Sequence, residues 1–288
     1  MEIKKLLKIG VDKLGKREYL NPTLDALLIL SYLLNVDKSY LYTHGDRIVS
    51  EEIVDKFLYY IDNRKTGYPL SYLLNEKDFY DLSFYIEEGV LVPRPDTEIL
   101  VDWVINTAIE KYQEKPINIV DLGTGSGCIA LTLAYHLKNS IVYAVDLDDV
   151  ALKVTEKNIN KHNLNDRVVL CKGDMFCGIK PLQLGGKIDI IVSNPPYIPT
   201  EDIEKLQVEV KDYEPRRALD GGMDGLDFYN KIIPESKDYL IKGGILAFEI
   251  GYDQGEIVKD IFIKEGFKDV KVIKDLQGLD RVVAGILP

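Results

Sequence analysis

Ile117-Asn118-Ile119-Val120-Asp121-Leu122-Gly123-Thr124-Gly125-Ser126-Gly127 decides the fold. An apolar run carrying one acid meets three alternating glycines, and Cys128-Ile129-Ala130-Leu131-Thr132-Leu133 follows with the composition of a buried helix. A strand that turns into a helix through glycines brings backbone amides close to a ligand, because residues without Cβ accept left-handed backbone and leave room. The spacing is Gly-x-Gly-x-Gly, not the Gly-x-Gly-x-x-Gly of dinucleotide folds, and it suits an amino-acid moiety better than a pyrophosphate. Asp121, Gly123, Thr124, Gly125, Ser126 and Gly127 are therefore candidate cofactor residues.

Downstream, IVYAVD (141–146), RVVLCKGD (167–174) and IDIIVSNPP (188–196) are short apolar runs that end in turn chemistry or an acid. Helical segments separate the first three of the four runs, which predicts a parallel sheet with helices on both faces. Further strands are expected at 243–251, 269–275 and 281–287, the last two antiparallel because so few residues join them.

Upstream, residues 1–75 carry helical periodicity in short pieces. Asn21-Pro22 supplies a cap and a first-turn proline, Ser50-Glu51-Glu52 opens another helix, and Asn35 and Gly67 mark stops. The first twenty residues, Lys-rich and amphipathic, read as a helix and not as a signal peptide. Residues 79–92 switch to aromatic and β-branched content around turn residues, a hairpin, and Asp96 is placed to cap a helix over 97–112. The expected division is a helical domain over 1–75, a hairpin linker over 76–95, and the α/β domain over 96–288. Tyr40, Tyr42, Tyr59 and Tyr60 fall at helical spacing and are expected in the core of the first part.

Composition excludes several classes. Of 288 residues, 46% are hydrophobic and 29% charged, enough apolar surface to build a core. The formal net charge of -11 gives no general attraction to phosphate backbones, so no direct nucleic-acid partner is expected. Cys128, Cys171 and Cys177 lack CxxC spacing, and His44, His136 and His162 are scattered, so neither disulfide nor metal is expected. No stretch is apolar for long enough to span a bilayer, so the expectation is a cytoplasmic protein with no membrane contact.

Asp146 ends the second strand of the α/β part about 20 residues after the glycines, where a carboxylate accepts hydrogen bonds from both hydroxyls of a ribose. Asp148 and Asp149 are better placed to cap the following helix. Asp174 ends the next strand where an adenine edge would lie, with Met175 and Phe176 as apolar neighbours. Then comes Ser193-Asn194-Pro195-Pro196-Tyr197. Two prolines after a buried strand fix φ, remove two donors, and hold the Asn194 carboxamide and the Pro195 carbonyl facing outward. A planar amide or amino nitrogen has a delocalised lone pair and is a poor nucleophile. Acceptors that grip its N–H groups turn the lone pair toward an electrophile, and Tyr197 is placed to stack on the flat group.

Asn194-Pro195-Pro196-Tyr197 together with the Asp121–Gly127 turn resembles the class I methyltransferases that modify planar nitrogens, on nucleic-acid adenine or on protein glutamine. The tetrapeptide alone does not separate the two. Val92-Pro93-Arg94-Pro95-Asp96-Thr97-Glu98, Tyr213-Glu214-Pro215, Ala218-Leu219 and Asp224-Gly225 are similar to the HemK/PrmC family, which methylates the glutamine of a Gly-Gly-Gln loop in peptide-chain release factors. A sister group acts on a ribosomal protein, and the Arg94–Glu98 string resembles the release-factor branch. The resemblance implies a Rossmann-like, S-adenosyl-L-methionine-dependent methyltransferase domain preceded by a helical bundle that recognises the protein substrate. It implies that Gly123 to Gly127 hold the methionine part, that Asp146 holds the ribose, and that Asn194, Pro195, Pro196 and Tyr197 hold the glutamine. It further implies release factors as partners, and a monomer is expected. Met175 departs from the family, where an aromatic often flanks the adenine; a thioether still covers an aromatic face.

Overall fold

The computed structural model describes residues 1–16 and 21–288. The last four residues of the N-terminal helix expectation, Arg17 to Leu20, lie outside them. The chain divides into one unit of residues 1–76 and 206–213 and a second of 77–205 and 214–288.

The first unit is helical: α1 (Ile3–Leu14), α2 (Pro22–Leu34), α3 (Lys38–Thr43), α4 (Glu51–Lys65) and α5 (Leu70–Leu74). The caps are those the sequence announces. Asn21 accepts from the Leu24 N–H, Ser50 accepts from the Ile53 N–H, and Asn35 ends α2 in the left-handed region at φ 52°. Ile3, Leu6, Ile29, Leu30, Phe57 and Ile61 form its core. Tyr40 and Tyr60 pack against that core, but Tyr42 and Tyr59 are mostly exposed, at 69% and 65%. The core expectation fails for these two because the core faces of α3 and α4 are already taken by Leu41, Phe57 and Ile61. Arg64 reaches Asp25 at 2.8 Å and Glu209 at 3.0 Å, an ion cluster whose first two members are buried.

The second unit begins one residue into a hairpin, β1 (Glu76–Phe79) and β2 (Leu82–Tyr85), which α6 (Thr97–Tyr112) follows. Then come β3 (Ile117–Leu122), α7 (Cys128–His136), β4 (Ser140–Asp146), α8 (Asp149–His162), β5 (Val168–Lys172) and β6 (Ile188–Ser193). The short α9 (Val208–Lys211) lies in the 206–213 excursion that groups with the first unit. The chain closes with α10 (Asp227–Ser236), β7 (Leu240–Glu249), α11 (Gly255–Lys264), β8 (Lys268–Lys274) and β9 (Asp280–Ile286). Seven strands form one sheet in the order β5-β4-β3-β6-β7-β9-β8. The first four pairings are parallel, and β9 runs antiparallel to both β7 and β8.

From β3 the order runs outward through β4 to β5, and from β6 it runs the other way through β7, so the direction of winding reverses between β3 and β6. A crevice opens at the carboxyl ends of strands where the order reverses, and ligands of open α/β sheets bind there. The hairpin is not a free-standing linker. Tyr85 donates its N–H to Asn158 Oδ1 at 2.7 Å, while Asn158 Nδ2 donates to the carbonyls of Tyr85 and Ser126 at 3.0 and 2.9 Å. One buried amide thus joins the hairpin to α8 and to the glycine turn. Asp96 precedes α6 but makes no side-chain cap; its own backbone is helical, and its carboxylate pairs with Arg281 at 3.3 Å.

Candidate active site

Leu122 and Ser193 are register partners at the ends of β3 and β6, and Ser193 Oγ donates to the Leu122 carbonyl at 2.7 Å. The glycine turn and the Asn-Pro-Pro-Tyr segment therefore leave the sheet side by side. The Gly123 and Thr124 N–H groups both donate to the Val145 carbonyl at 2.9 Å, which curls the turn back over β4. Asp146, at the end of β4, accepts from the Gly125 N–H on one carboxylate oxygen and from the Asp148 N–H on the other, each at 2.9 Å. Burial pushes its carboxyl upward against these two bonds. Asp148 takes the capping role on α8, accepting from the Val150 and Ala151 N–H groups.

A cavity of about 250 Å³ follows the strand ends from β3 to β6. Gly123, Thr124, Gly125, Ser126, Asp146, Asp174, Met175, Asn194, Pro195 and Pro196 line it, as do Gly89, Val90, Pro93, Arg94 and Thr97 from the approach to α6. Pro215, Arg217 and Ala218, and Phe228 and Ile232 of α10, also line it. Four residues grouped with the site by sequence do not line it. Asp121 is fully buried beneath the turn, where it accepts the Thr124 hydroxyl at 2.6 Å; burial pushes its carboxyl up to about 7. Gly127 lies at the start of α7 with Leu131 and Thr155 against it. Phe176 is fully buried, stacked on Tyr239 at 4.6 Å. Tyr197 packs against the core, and its hydroxyl donates to Glu249 Oε1 at 3.2 Å.

The cavity fits a nucleoside carrying an amino-acid tail. Gly123, at φ 73°, has nothing within 4 Å of the place a Cβ would occupy, so the turn is hollow on the side a ligand would fill. Asp146 supplies carboxylate acceptors, and Met175, held left-handed at φ 45°, presents its side chain beside Asp174. At the other end, Asn194 Nδ2 donates to Thr97 Oγ1 at 3.2 Å. Among the described residues no hydrogen bond reaches Asn194 Oδ1, and no backbone N–H donates to the Pro195 carbonyl. Two acceptors therefore remain next to the glycine turn.

Sequence reasoning missed the cavity residues Val90 and Phe228 and the buried partner of Tyr197, Glu249. Val90 and Phe228 belong to apolar patterns that read as ordinary core. Glu249 carried a signal, an acid in the apolar run Ile245-Leu246-Ala247-Phe248-Glu249-Ile250.

A reversed parallel sheet with a glycine turn, an acid at the end of the neighbouring strand and an acceptor pair at the reversal defines a class I methyltransferase. Comparison agrees: the PrmC N-terminal domain family matches residues 5–74, and the Methyltransferase small domain family matches residues 97–210. A release factor glutamine methyltransferase of Clostridium botulinum is 43% identical over 98% of both chains, and that of Clostridium acetobutylicum is 41% identical over 91% of this chain and 90% of its own. The chain belongs to the release factor glutamine methyltransferase family. The crystal structure of a methyltransferase from Pyrococcus furiosus matches with a TM-score of 0.51 at 21% identity, covering 73% of this chain and 91% of that one, a likeness of fold. No helix among the described residues is long and apolar enough to cross a membrane.

Proposed function

We infer that the protein transfers a methyl group from S-adenosylmethionine to the side-chain amide nitrogen of the Gly-Gly-Gln glutamine in peptide-chain release factors. The observation that carries this reading is the pair of acceptors, Asn194 Oδ1 and the Pro195 carbonyl, held beside the glycine turn at the β3/β6 reversal. S-adenosylmethionine, when bound, supplies an electrophilic methyl group on a sulfonium. Gly123 to Ser126 would take its amino-acid end, Asp146 its ribose hydroxyls, and Asp174 and Met175 its adenine.

Asn194 and Pro195 would accept the two N–H bonds of the substrate carboxamide, fixing its plane and exposing the nitrogen lone pair to the cavity. Pro196 keeps that backbone rigid, and Tyr197 supports the segment from the core side. As the nitrogen gains positive charge its N–H groups become more acidic and the same acceptors hold them more strongly, so the interaction favours the transition state. The excess proton then leaves to water, and no side-chain base is required. Positioning supplies the rest of the rate.

The helical unit is the proposed docking surface for the release factor, since a tripeptide loop offers little discrimination by itself. Translation factors as substrates go with a cytoplasmic place of action and, with the -11 charge, a protein and not a nucleic-acid acceptor. The enzyme is read as a monomer. Tandem mass spectrometry of a release factor incubated with enzyme and cofactor tests the substrate reading. One added methyl on the Gly-Gly-Gln glutamine side chain is expected, and a methyl at any other residue contradicts it.

A further inference from the structure

Pro195 and Pro196 carry no N–H, so the Asn-Pro-Pro-Tyr segment is held in place mainly at its two ends. At the upstream end Ser193 is paired within the sheet and donates its hydroxyl to the Leu122 carbonyl. At the downstream end stands Gln254, 7% exposed, in the turn between β7 and α11. Its Nε2 donates to the Tyr197 carbonyl at 3.0 Å and to the Gly225 carbonyl at 3.3 Å. Its Oε1 accepts from the Gly251 N–H at 2.9 Å, with the Tyr229 hydroxyl 3.4 Å away. A carboxamide offers two donor hydrogens and two acceptor lone pairs, and here each has a partner. A backbone N–H only donates, so the bond from Gly251 fixes which end of the Gln254 carboxamide faces Tyr197.

Gly221 and Gly225, in the loop before α10, pack on the same stretch. A Cβ on Gly225 would meet the Tyr197 carbonyl oxygen, and one on Gly221 would stand 2.7 Å from Tyr197 Cα and 2.9 Å from the Pro196 carbonyl oxygen. Backbone therefore lies directly on backbone. The Ile198 N–H donates to the Leu219 carbonyl at 3.0 Å, and the Ile198 carbonyl accepts from the Gly221 N–H at 2.9 Å. Asp224-Gly225, singled out by the sequence and unused by the chemistry above, thus belongs to the mounting of the segment.

We propose that Gln254 is a positioning residue for methyl transfer: by tying the Tyr197 carbonyl to Gly225 and Gly251 it holds the downstream end of the segment and so sets how the Pro195 carbonyl and Asn194 face the cavity. With φ fixed at both prolines, a shift of Tyr197 is carried back along a stiff backbone to Pro195 instead of being absorbed between them. Gln254 itself does not line the cavity. Loss of the clamp therefore acts on the acceptors for the substrate amide and leaves the glycine turn and Asp146 in place.

Gln254→Glu keeps the shape and replaces the donor end with a carboxyl oxygen facing two carbonyl oxygens. Ionised, it repels the Tyr197 carbonyl. Protonated, its one O–H donates to that carbonyl while the other oxygen accepts from Gly251, and the clamp is restored. Burial against carbonyl oxygens raises the pKa of such a carboxyl, so the variant should recover in acid. The titratable and charged groups around it are Tyr197 after β6, Glu249 at the end of β7, Asp253 in the turn, Tyr229 on α10, and Asp280 and Arg281 on β9. Wild type and variant share them all, so the ratio of their kcat values isolates position 254.

Steady-state methyl transfer to release factor is measured for wild type and Gln254→Glu across pH, with cofactor Kd alongside. At about pH 8 the variant should turn over about tenfold to a hundredfold more slowly than wild type, the scale of a misplaced reacting group. The ratio should climb toward one as pH falls to about 6, with cofactor Kd close to wild type throughout. Equal kcat at the alkaline end, a ratio that does not rise in acid, or a cofactor Kd that worsens in step with kcat would each overturn the role. Should Gln254→Glu fail to fold, Gly221→Ala decides, because its Cβ presses on Tyr197 Cα and the Pro196 carbonyl. A lowered kcat with cofactor Kd held is expected there, and an unchanged kcat would show that the Tyr197 end does not set the acceptors. The role rests on the substrate reading above. A wild-type enzyme that labels a different acceptor would overturn that reading, and the same variants measured on that acceptor would still decide for or against Gln254.

Discussion

Asp146 holds Gly125 and Asp148 at once, each N–H 2.9 Å from a different oxygen of the same carboxylate. The acid proposed to grip the ribose also shapes the turn proposed to hold the methionine part. Asp146→Ala should therefore weaken cofactor binding by roughly 1–3 kcal/mol, the usual loss of a charge-assisted hydrogen bond in a buried setting. Calorimetric titration measures it, and an unmoved Kd would contradict the ribose role.

Asn194→Ala removes one of two acceptors for the substrate amide and touches little of the cofactor wall. Turnover should drop about 10²–10³-fold, the scale seen when a preorganised polar partner of a transition state is deleted. Cofactor affinity should stay near wild type. An unchanged kcat would remove Asn194 from the chemistry.

Gly127 opens α7 at φ 81°, and a Cβ there would stand 2.7 Å from Leu131 Cδ1 and 2.8 Å from Thr155 Cγ2. Gly127→Ala should cost roughly 1–3 kcal/mol from overpacking and about 1–2 kcal/mol more from left-handed backbone. Denaturant titration of the full chain reads the loss. Gly127 does not line the cavity, so a stable variant that only loses cofactor affinity would reassign it as a contact.

Two buried carboxyls give stability an unusual slope with pH. Asp121 and Glu249 are each pushed up to about 7 by burial, above ordinary carboxyl values. Between roughly pH 4 and 7 the folded chain holds protons there that the unfolded chain has released, so stability falls as pH rises through that window. Glu87 works in the opposite sense: two lysines and the Tyr85 hydroxyl outweigh its burial and hold it down at about 2, so its contribution is lost in stronger acid. Melting temperature should peak in mild acid, and Asp121→Asn should flatten the slope between pH 4 and 7. A variant with the wild-type slope would show that Asp121 is not protonated in the folded chain.

Much of this was legible because local chemistry forced it. Asn21, Asn35 and Ser50 cap helices where residue type requires, and the β3 to β6 runs with their glycines announce a parallel sheet, while its strand order and reversal point emerge only once the strands have paired. Asp96 shows where reading fails: a cap residue by position, it is drawn away by Arg281, which stands 185 residues later (281 − 96) and faces it only once β9 has paired with β7. Tyr197 fails in the same way, because an aromatic next to a reactive amide reads as a stacking platform until Glu249 offers its hydroxyl a partner. Val90 reaches the cavity from the loop before α6 and Phe228 from the start of α10, and neither carries a chemical mark in its apolar surroundings.

The most direct test of the central claim is transfer of labelled methyl from S-adenosylmethionine to purified release factor, against a factor whose Gly-Gly-Gln glutamine is replaced, with tRNA and DNA as parallel acceptors. The account predicts label on the wild-type factor alone. Label on nucleic acid, or equal label on the substituted factor, would contradict it and mean that Asn194 and Pro195 grip a different planar nitrogen.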